Sequence, residues 1–218
     1  MAKVVIFGTG SFAELVHFYL TRESEHEVVA FTASRDAIKA PEFCGLPVVP
    51  FEEIETSHPP SAFSMYVAVG YRKVNRIRAA IYDQAKAKGY TLVSFISPRC
   101  TNYAESIGDN CFVFEDNTLQ PRVRIGNDVV LWSGNHIGHH STIGDHCYVT
   151  SHVVVSGHVN IGPLCFLGVN ATLRDSITIG EACVIGAGAL IMKSTSPKEV
   201  YLGERTKPFA KTSDEINL

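Results

Sequence analysis

The dipeptide Ile-Gly recurs at Ile107-Gly108, Ile125-Gly126, Ile143-Gly144, Ile161-Gly162 and Ile179-Gly180, always eighteen residues apart. Inside each interval an aliphatic residue falls at every sixth position, from Ile107, Val113 and Leu119 to Ile179, Ile185 and Ile191, fifteen positions without a gap. An isolated helix repeats its apolar residues near 3.6 and a strand near 2, so a strict six belongs to neither. Three sixes per cycle predict a triangular coil. Each hexad supplies one short strand and one corner, three hexads close a turn, and the aliphatic side chains stack in three internal columns of a parallel β-helix.

Cysteine placement supports the same coil. Cys111, Cys147, Cys165 and Cys183 all stand fifth in their hexads and differ by multiples of eighteen, which puts them in one column. Free cysteine packs as a small hydrophobe, and without a CxxC pair these four are expected to be buried thiols rather than disulfides or metal ligands. By the same reasoning Cys147 is expected to be inert as a nucleophile. Asn117, Asn135 and Asn170 are expected at corners, where left-handed backbone suits asparagine. Six of the nine histidines lie between His136 and His158. His140, His146, His152 and His158 are fourth in their hexads, so only His140 and His158 stack directly. His146 and His152 read as solvated or corner-bonded side chains, and His136 as a possible support for His139.

The first hundred residues have a different grammar. Val4-Val5-Ile6-Phe7 reads as a buried strand, Gly8-Thr9-Gly10-Ser11 as a glycine loop, and Leu15, Val16, Phe18, Tyr19 and Leu20 as one face of a helix. Val28–Phe31, Tyr66–Gly70, a helix from about Val74 to Ala87, and Thr91–Ile96 continue the alternation into a small parallel, Rossmann-like α/β domain. A dinucleotide site requires a carboxylate after the second strand, but Phe31-Thr32-Ala33-Ser34-Arg35 offers none, which argues against NAD. The glycine loop either binds a nucleotide-sugar phosphate through Gly8, Thr9, Gly10 and Ser11 or merely permits a tight turn. The expected division is residues 1–98 for this domain, 99–197 for the β-helix and 198–218 for a tail.

A net charge of −3 provides no field for nucleic acid. The start of the chain lacks a signal-peptide pattern and no stretch matches a membrane span, so the expectation is a cytoplasmic protein with reduced thiols and no membrane partner.

With GTGSFAE after the first strand, GLPVV, AVGYRKVNRIR and then fifteen hexads, the chain resembles bacterial sugar acyltransferases of the sialic-acid O-acetyltransferase type. It is similar, too, to N-acetyltransferases of nucleotide-linked amino sugars. The resemblance implies a left-handed β-helix and a homotrimer, with acetyl-CoA in the groove between neighbouring coils and a nucleotide-linked amino sugar reaching in from the N-terminal domain. Whether nitrogen or oxygen is acylated stays open, as does a trimeric scaffold without activity.

In that family a histidine third in its hexad, followed by an acidic residue, is the general base. His139 matches it, while His140 replaces the carboxylate. A second family histidine corresponds to Tyr148, whose hydroxyl is expected to meet the acyl carbonyl. Backbone contacts to coenzyme A carry over to Gly157, Val169 and Ala187. The tail keeps Gly203 but loses the family's Pro-Ala, leaving Arg205 and Lys207 as phosphate candidates on charge alone. The zinc hydrolases that share this fold resemble it less, since they need a His-x4-His pair, and no metal site is expected.

Overall fold

The computed structural model describes residues 1–216. The N-terminal domain contains β1 (Lys3–Phe7), α1 (Ser11–Glu23), β2 (Glu27–Ala33), β3 (Glu42–Phe43), β4 (Leu46–Pro50), α2 (Ile54–Ser57), β5 (Ser64–Val67) and α3 (Arg76–Ala87). Its sheet runs β3-β4-β2-β1-β5. All neighbours are parallel except β3 and β4, which departs from the all-parallel expectation. Cys44 and Gly45 carry φ of 51° and 76°, the paired left-handed geometry that a two-residue hairpin demands.

Two more expectations shift. Thr91–Ile96 contributes only Phe95–Ile96 as a strand, and it pairs with Phe112–Val113 of the coil. Val200–Tyr201 extends the same sheet at the other end, so the coil's pairing reaches past the expected 99–197 bounds on both sides. The expected helix from Val74 starts at Arg76, because Lys73, Val74 and Asn75 all have positive φ, 53°, 51° and 63°. Positive φ on a β-branched residue is costly, so something must hold that loop in place.

What holds it is the coil. Asn75 Nδ2 donates to the carbonyls of Leu164 and Cys165, both at 3.0 Å. Arg78, on the first turn of α3 and fully buried, donates from Nε to Asp128 Oδ2 at 3.0 Å and from Nη2 to the His146 carbonyl at 2.7 Å. Asp128 also receives Asn110 Nδ2 and faces His146 Nδ1. A buried ion pair is tolerated only when its remaining lone pairs and protons are satisfied, and here each charge has further partners.

From Phe95 to Tyr201 the chain winds a left-handed parallel β-helix whose sides are seven-, six- and five-stranded sheets. Register follows the eighteen-residue period: Leu119 lies on Ile137, Ile125 on Ile143 and Leu131 on Val149. The three inward columns and the fifth-position residues form one buried core. Each such side chain contributes about 1.5–3 kcal/mol of hydrophobic stabilisation. Every fourth residue from Asn110 to Gly188 has φ between 52° and 76°, and none is β-branched, since that corner is left-handed. The glycine of Ile-Gly is required by proximity: a Cβ on Gly144 would lie 2.7 Å from Pro163 N of the next coil.

The four aligned cysteines are free and fully buried, and burial pushes the Cys147 thiol well above its ordinary value, against a nucleophilic role. Asn170 occupies a left-handed corner, φ 59°. Asn117 and Asn135 do not. They are fifth in their hexads and point inward beneath the corner, where Asn117 Nδ2 donates to the Phe114 carbonyl at 2.8 Å and Asn135 Oδ1 accepts Val153 N–H at 2.8 Å. Each amide provides both the donor and the acceptor that those turns lack, as the Ser141 hydroxyl does at the same hexad position.

Outward positions on the three sides differ. The five-stranded sheet presents Arg124, Thr142, Asn160 and Thr178. The seven-stranded sheet presents Phe112, Val130, Tyr148 and Phe166, and this apolar row docks the α/β domain. Phe114 stacks on Trp132 there at 4.6 Å and 12°. Among the described residues no helix is long and apolar enough to cross a membrane.

Candidate active site

His139 stands at the corner between the six- and five-stranded sheets, just after the strand His136–Ile137. Its position follows from its hexad: Ile137 points into the core, Gly138 lies under the next coil, and the third residue emerges at the surface. Its N–H donates to Gln120 Oε1 at 2.9 Å. Its Nδ1 is 3.1 Å from His140 Nδ1, a spacing that requires one ring to donate and the other to accept. Desolvation, then the neighbouring imidazoles of His158 and His139, hold His140 below the ordinary histidine value. A neutral His140 is a competent acceptor, so it can fix the proton of His139 on Nδ1 and leave Nε2 free.

The far edge of the His139 ring lies against the next coil at Gly157, where an added Cβ would be 2.8 Å from Cε1 and 2.9 Å from Nε2. A side chain at residue 157 would displace the ring from this position. Among the described residues the N–H groups of Gly157, Val169 and Ala187 have no hydrogen-bond partner, so the residues expected to meet coenzyme A present free backbone donors. Val169 is 42 % exposed. Val169 and Ala187 stack at the corner between the seven- and six-stranded sheets, whereas His139 and Gly157 stack at the next corner. Six residues of extended chain, at most roughly 20 Å, separate the two corners.

Tyr148 is not beside His139. Its ring is buried in the docking face, in contact with Phe166 and Tyr71 and with the Arg78 guanidinium over it, and shares no neighbour with His139. The separation follows from phase: residue 148 is an outward strand position on the seven-stranded sheet, and residue 139 is a corner two sides away. Tyr148 Oη accepts Trp132 Nε1–H at 2.7 Å, and burial first of all pushes its pKa up to about 12. The hydroxyl therefore stays protonated and keeps its own hydrogen to donate.

Tyr148 lines a cavity of about 470 Å³ between the two domains, together with Gly10, Ser11, Tyr71, Arg72 and Trp132 among others. Here α1 begins without a side-chain cap, which leaves its first N–H groups without that partner, and a helix start of this kind suits an anion. Of the four glycine-loop candidates, Gly10 and Ser11 line this space. Gly8 packs against the backbone instead, with φ 124° and room for no Cβ, since one would lie 2.6 Å from Ala68 O. Thr9 lines a separate pocket with Lys39 and Phe43. Thr32, where a dinucleotide fold would have its ribose carboxylate, donates to Val49 O at 2.7 Å inside the sheet.

Tyr71, Arg72 and Trp132 were not singled out in sequence, although the first two belong to AVGYRKVNRIR; Trp132, second in its hexad, carries no periodic signal. His136 faces outward from the six-stranded sheet and makes no hydrogen bond to His139 among the described residues. Arg205 and Lys207 are exposed on the tail, with no side-chain partner among the described residues.

Residues 122–157 match the family model for the bacterial transferase hexapeptide (six repeats), and residues 158–193 match the model for the hexapeptide repeat of succinyl-transferase. No curated protein sequence matches. Among solved structures, perosamine N-acetyltransferase from Caulobacter crescentus, a histidine-to-asparagine variant in complex with CoA and GDP-perosamine, superimposes with a TM-score of 0.83 and 25% identity over 93% of this chain and 94% of that one. The acetyltransferase domain of PglB from Neisseria gonorrhoeae superimposes with a TM-score of 0.82 and 24% identity over 96% of this chain and 100% of that one. WeeI from Acinetobacter baumannii shares the fold, with a TM-score of 0.78 and 18% identity over 93% and 97% of the two chains.

Proposed function

From the hexapeptide repeat and the whole-length likeness to sugar N-acetyltransferases, we infer that this chain is a hexapeptide-repeat sugar acyltransferase that moves an acetyl group from acetyl-CoA to the amine of a nucleotide-linked amino sugar. The observation that carries the reading is the corner itself: an exposed imidazole whose Nδ1 is engaged by His140 and whose Nε2 edge lies against Gly157 of the next coil.

The residues divide the work as follows. His139 Nε2 takes the proton that the acceptor amine loses as it attacks the thioester carbonyl. His140 holds the tautomer that makes this possible. The Gly157 N–H is a fixed donor for the oxygen on which negative charge develops, and such preorganised donors stabilise the transition state without rearrangement. Transfer is direct, since Cys147 is buried and held protonated.

Val169 and Ala187 offer free N–H groups along one corner for the pantetheine arm, with Arg205 and Lys207 supplying cations toward its phosphates. In one chain these donors and His139 sit on different corners, and a groove between adjacent copies would bring one corner of each together around a single donor molecule. This supports a homotrimer. The cavity at Gly10, Ser11 and Arg72 suits the diphosphate of the acceptor, with Tyr148 donating to it or to the sugar rather than to the acyl carbonyl.

The test is product formation, followed by mass spectrometry, from acetyl-CoA and a panel of nucleotide-linked amino sugars. His139→Asn is expected to lower the rate by about 10²–10⁴-fold while the elution volume and far-ultraviolet spectrum stay unchanged. An unaltered rate overturns the assignment of the base.

A further inference from the structure

One ring nitrogen from each of His139, His140 and His158 lies within 4.8 Å of the other two, and all three side chains are exposed. His140 and His158 are corner residues one coil apart. Their rings stack at 4.8 Å with a 15° interplanar angle, which is the spacing of adjacent strands. His139 meets both rings edge-on, at 5.3 Å and 87° from His140 and at 5.1 Å and 86° from His158. The repeat therefore sets two parallel imidazoles and turns a third toward them.

We propose that His139, His140 and His158 form a site for one divalent transition-metal ion of the zinc class. At a metal–nitrogen distance of about 2.0–2.1 Å, two ligands of a tetrahedral ion are roughly 3.3 Å apart. The Nδ1 atoms of His139 and His140 are already 3.1 Å apart. The third ligand has to close from within 4.8 Å, a modest rotation for an exposed side chain, and solvent completes the fourth position.

The other corner histidines lack this arrangement. His146 is bonded to Asp128, and His152 lies against Gly134. Near His140 the pocket also holds Glu105, Arg122 and Arg124. The carboxylate is already paired with both arginines, so the imidazoles themselves must supply the affinity, and nitrogen ligands select zinc, copper, nickel or cobalt over magnesium or calcium. Binding at both Nδ1 atoms moves the proton held between them to His139 Nε2 by way of solvent, so both rings stay neutral and no proton is lost overall.

One consequence rests on the acyl-transfer reading. A His139 ring bound through Nδ1 carries its single proton on Nε2 and accepts no other, so a bound ion and turnover exclude each other.

The experiment titrates the untagged full-length protein, stripped with chelator and dialysed, with Co²⁺ and records its visible absorption. A saturable band at one equivalent per chain, displaced by Zn²⁺, is expected. His158→Asn keeps a residue that accepts the left-handed corner and is expected to weaken binding at least about tenfold, the lower end of what even an outer-shell change costs. His152→Asn, at an equivalent corner without a partner ring, is expected to bind as the parent does. No saturable band, or an unchanged band in His158→Asn, overturns the site. Acetylated product is then measured by mass spectrometry, because the released thiol itself binds zinc. Inhibition by Zn²⁺ that His158→Asn relieves supports both readings. A parent that binds Co²⁺ as described but never forms product leaves the site standing and removes the transferase assignment.

Discussion

The inside of the prism and its seven-stranded outer face are made from the same hexads, yet they obey different rules. Inside, each side chain meets the residue eighteen positions away, as Ile125 meets Ile143, so packing is a local repeat written once per coil. Outside, the row Phe112, Val130, Tyr148 and Phe166 meets a domain that precedes it in sequence, and the contacts are irregular: Arg78 reaches Asp128 fifty residues away and Asn75 reaches Cys165 ninety away. The interior is filled by apolar columns in register, whereas the docking face depends on a few polar anchors. Repetition supplies stability in one region, and particular residues supply it in the other.

The sharpest way to break this comparison is Arg78→Met. It removes one member of a fully buried ion pair and leaves Asp128 without its cation, which is expected to cost about 3–5 kcal/mol. Trp132, the single tryptophan of the chain, stacks on Phe114 in that interface. Its fluorescence is therefore expected to change at lower denaturant than the circular dichroism of the coil, separating two transitions. Coincident curves with an unshifted midpoint would show that the anchors do not hold the domains together.

Asn135→Val probes the interior with a smaller effect. The change leaves the Val153 N–H without a partner, while the Trp132 carbonyl keeps Asn117 Nδ2, an expected cost of about 1–3 kcal/mol. Because the defect is inside the repeat, both probes should move together. A shift confined to tryptophan emission would contradict this. Ser176→Asn is the smallest. Serine is exposed there at φ 59°, and asparagine accepts left-handed backbone more readily, so a gain of about 0.5 kcal/mol in the denaturation midpoint is expected. A loss would mean that the corner does not set the preference.

The coil was legible in the sequence because each position of the hexad has one job, repeated until chance is excluded. The corner that exposes His139 follows from the same counting. The Asn117 and Asn135 amides were placed at the wrong position because propensity for left-handed turns outweighed phase; counting from Ile107 puts both fifth, in line with the cysteines. Tyr148 was assigned to His139 by resemblance, although its phase marks it as an outward residue of another side. The start of α3 was missed because Val74 has no intrinsic preference for φ 51°; long-range bonds from Asn75 and Arg78 impose it, and they leave no period to read. The edge-on approach of His139 to two stacked rings likewise depends on coordinates, since only the stacking of His140 and His158 is a matter of arithmetic.

The left-handed fourth residue of every hexad has one more implication. On one vertical edge, at Arg122, His140, His158 and Ser176, these side chains are all exposed and take no part in the packing that keeps the coil closed. That edge is thus a graduated rail of mounting points about 4.8 Å apart. A lineage or a designer can exchange groups along it, imidazole for carboxylate or amide, without re-solving the fold beneath.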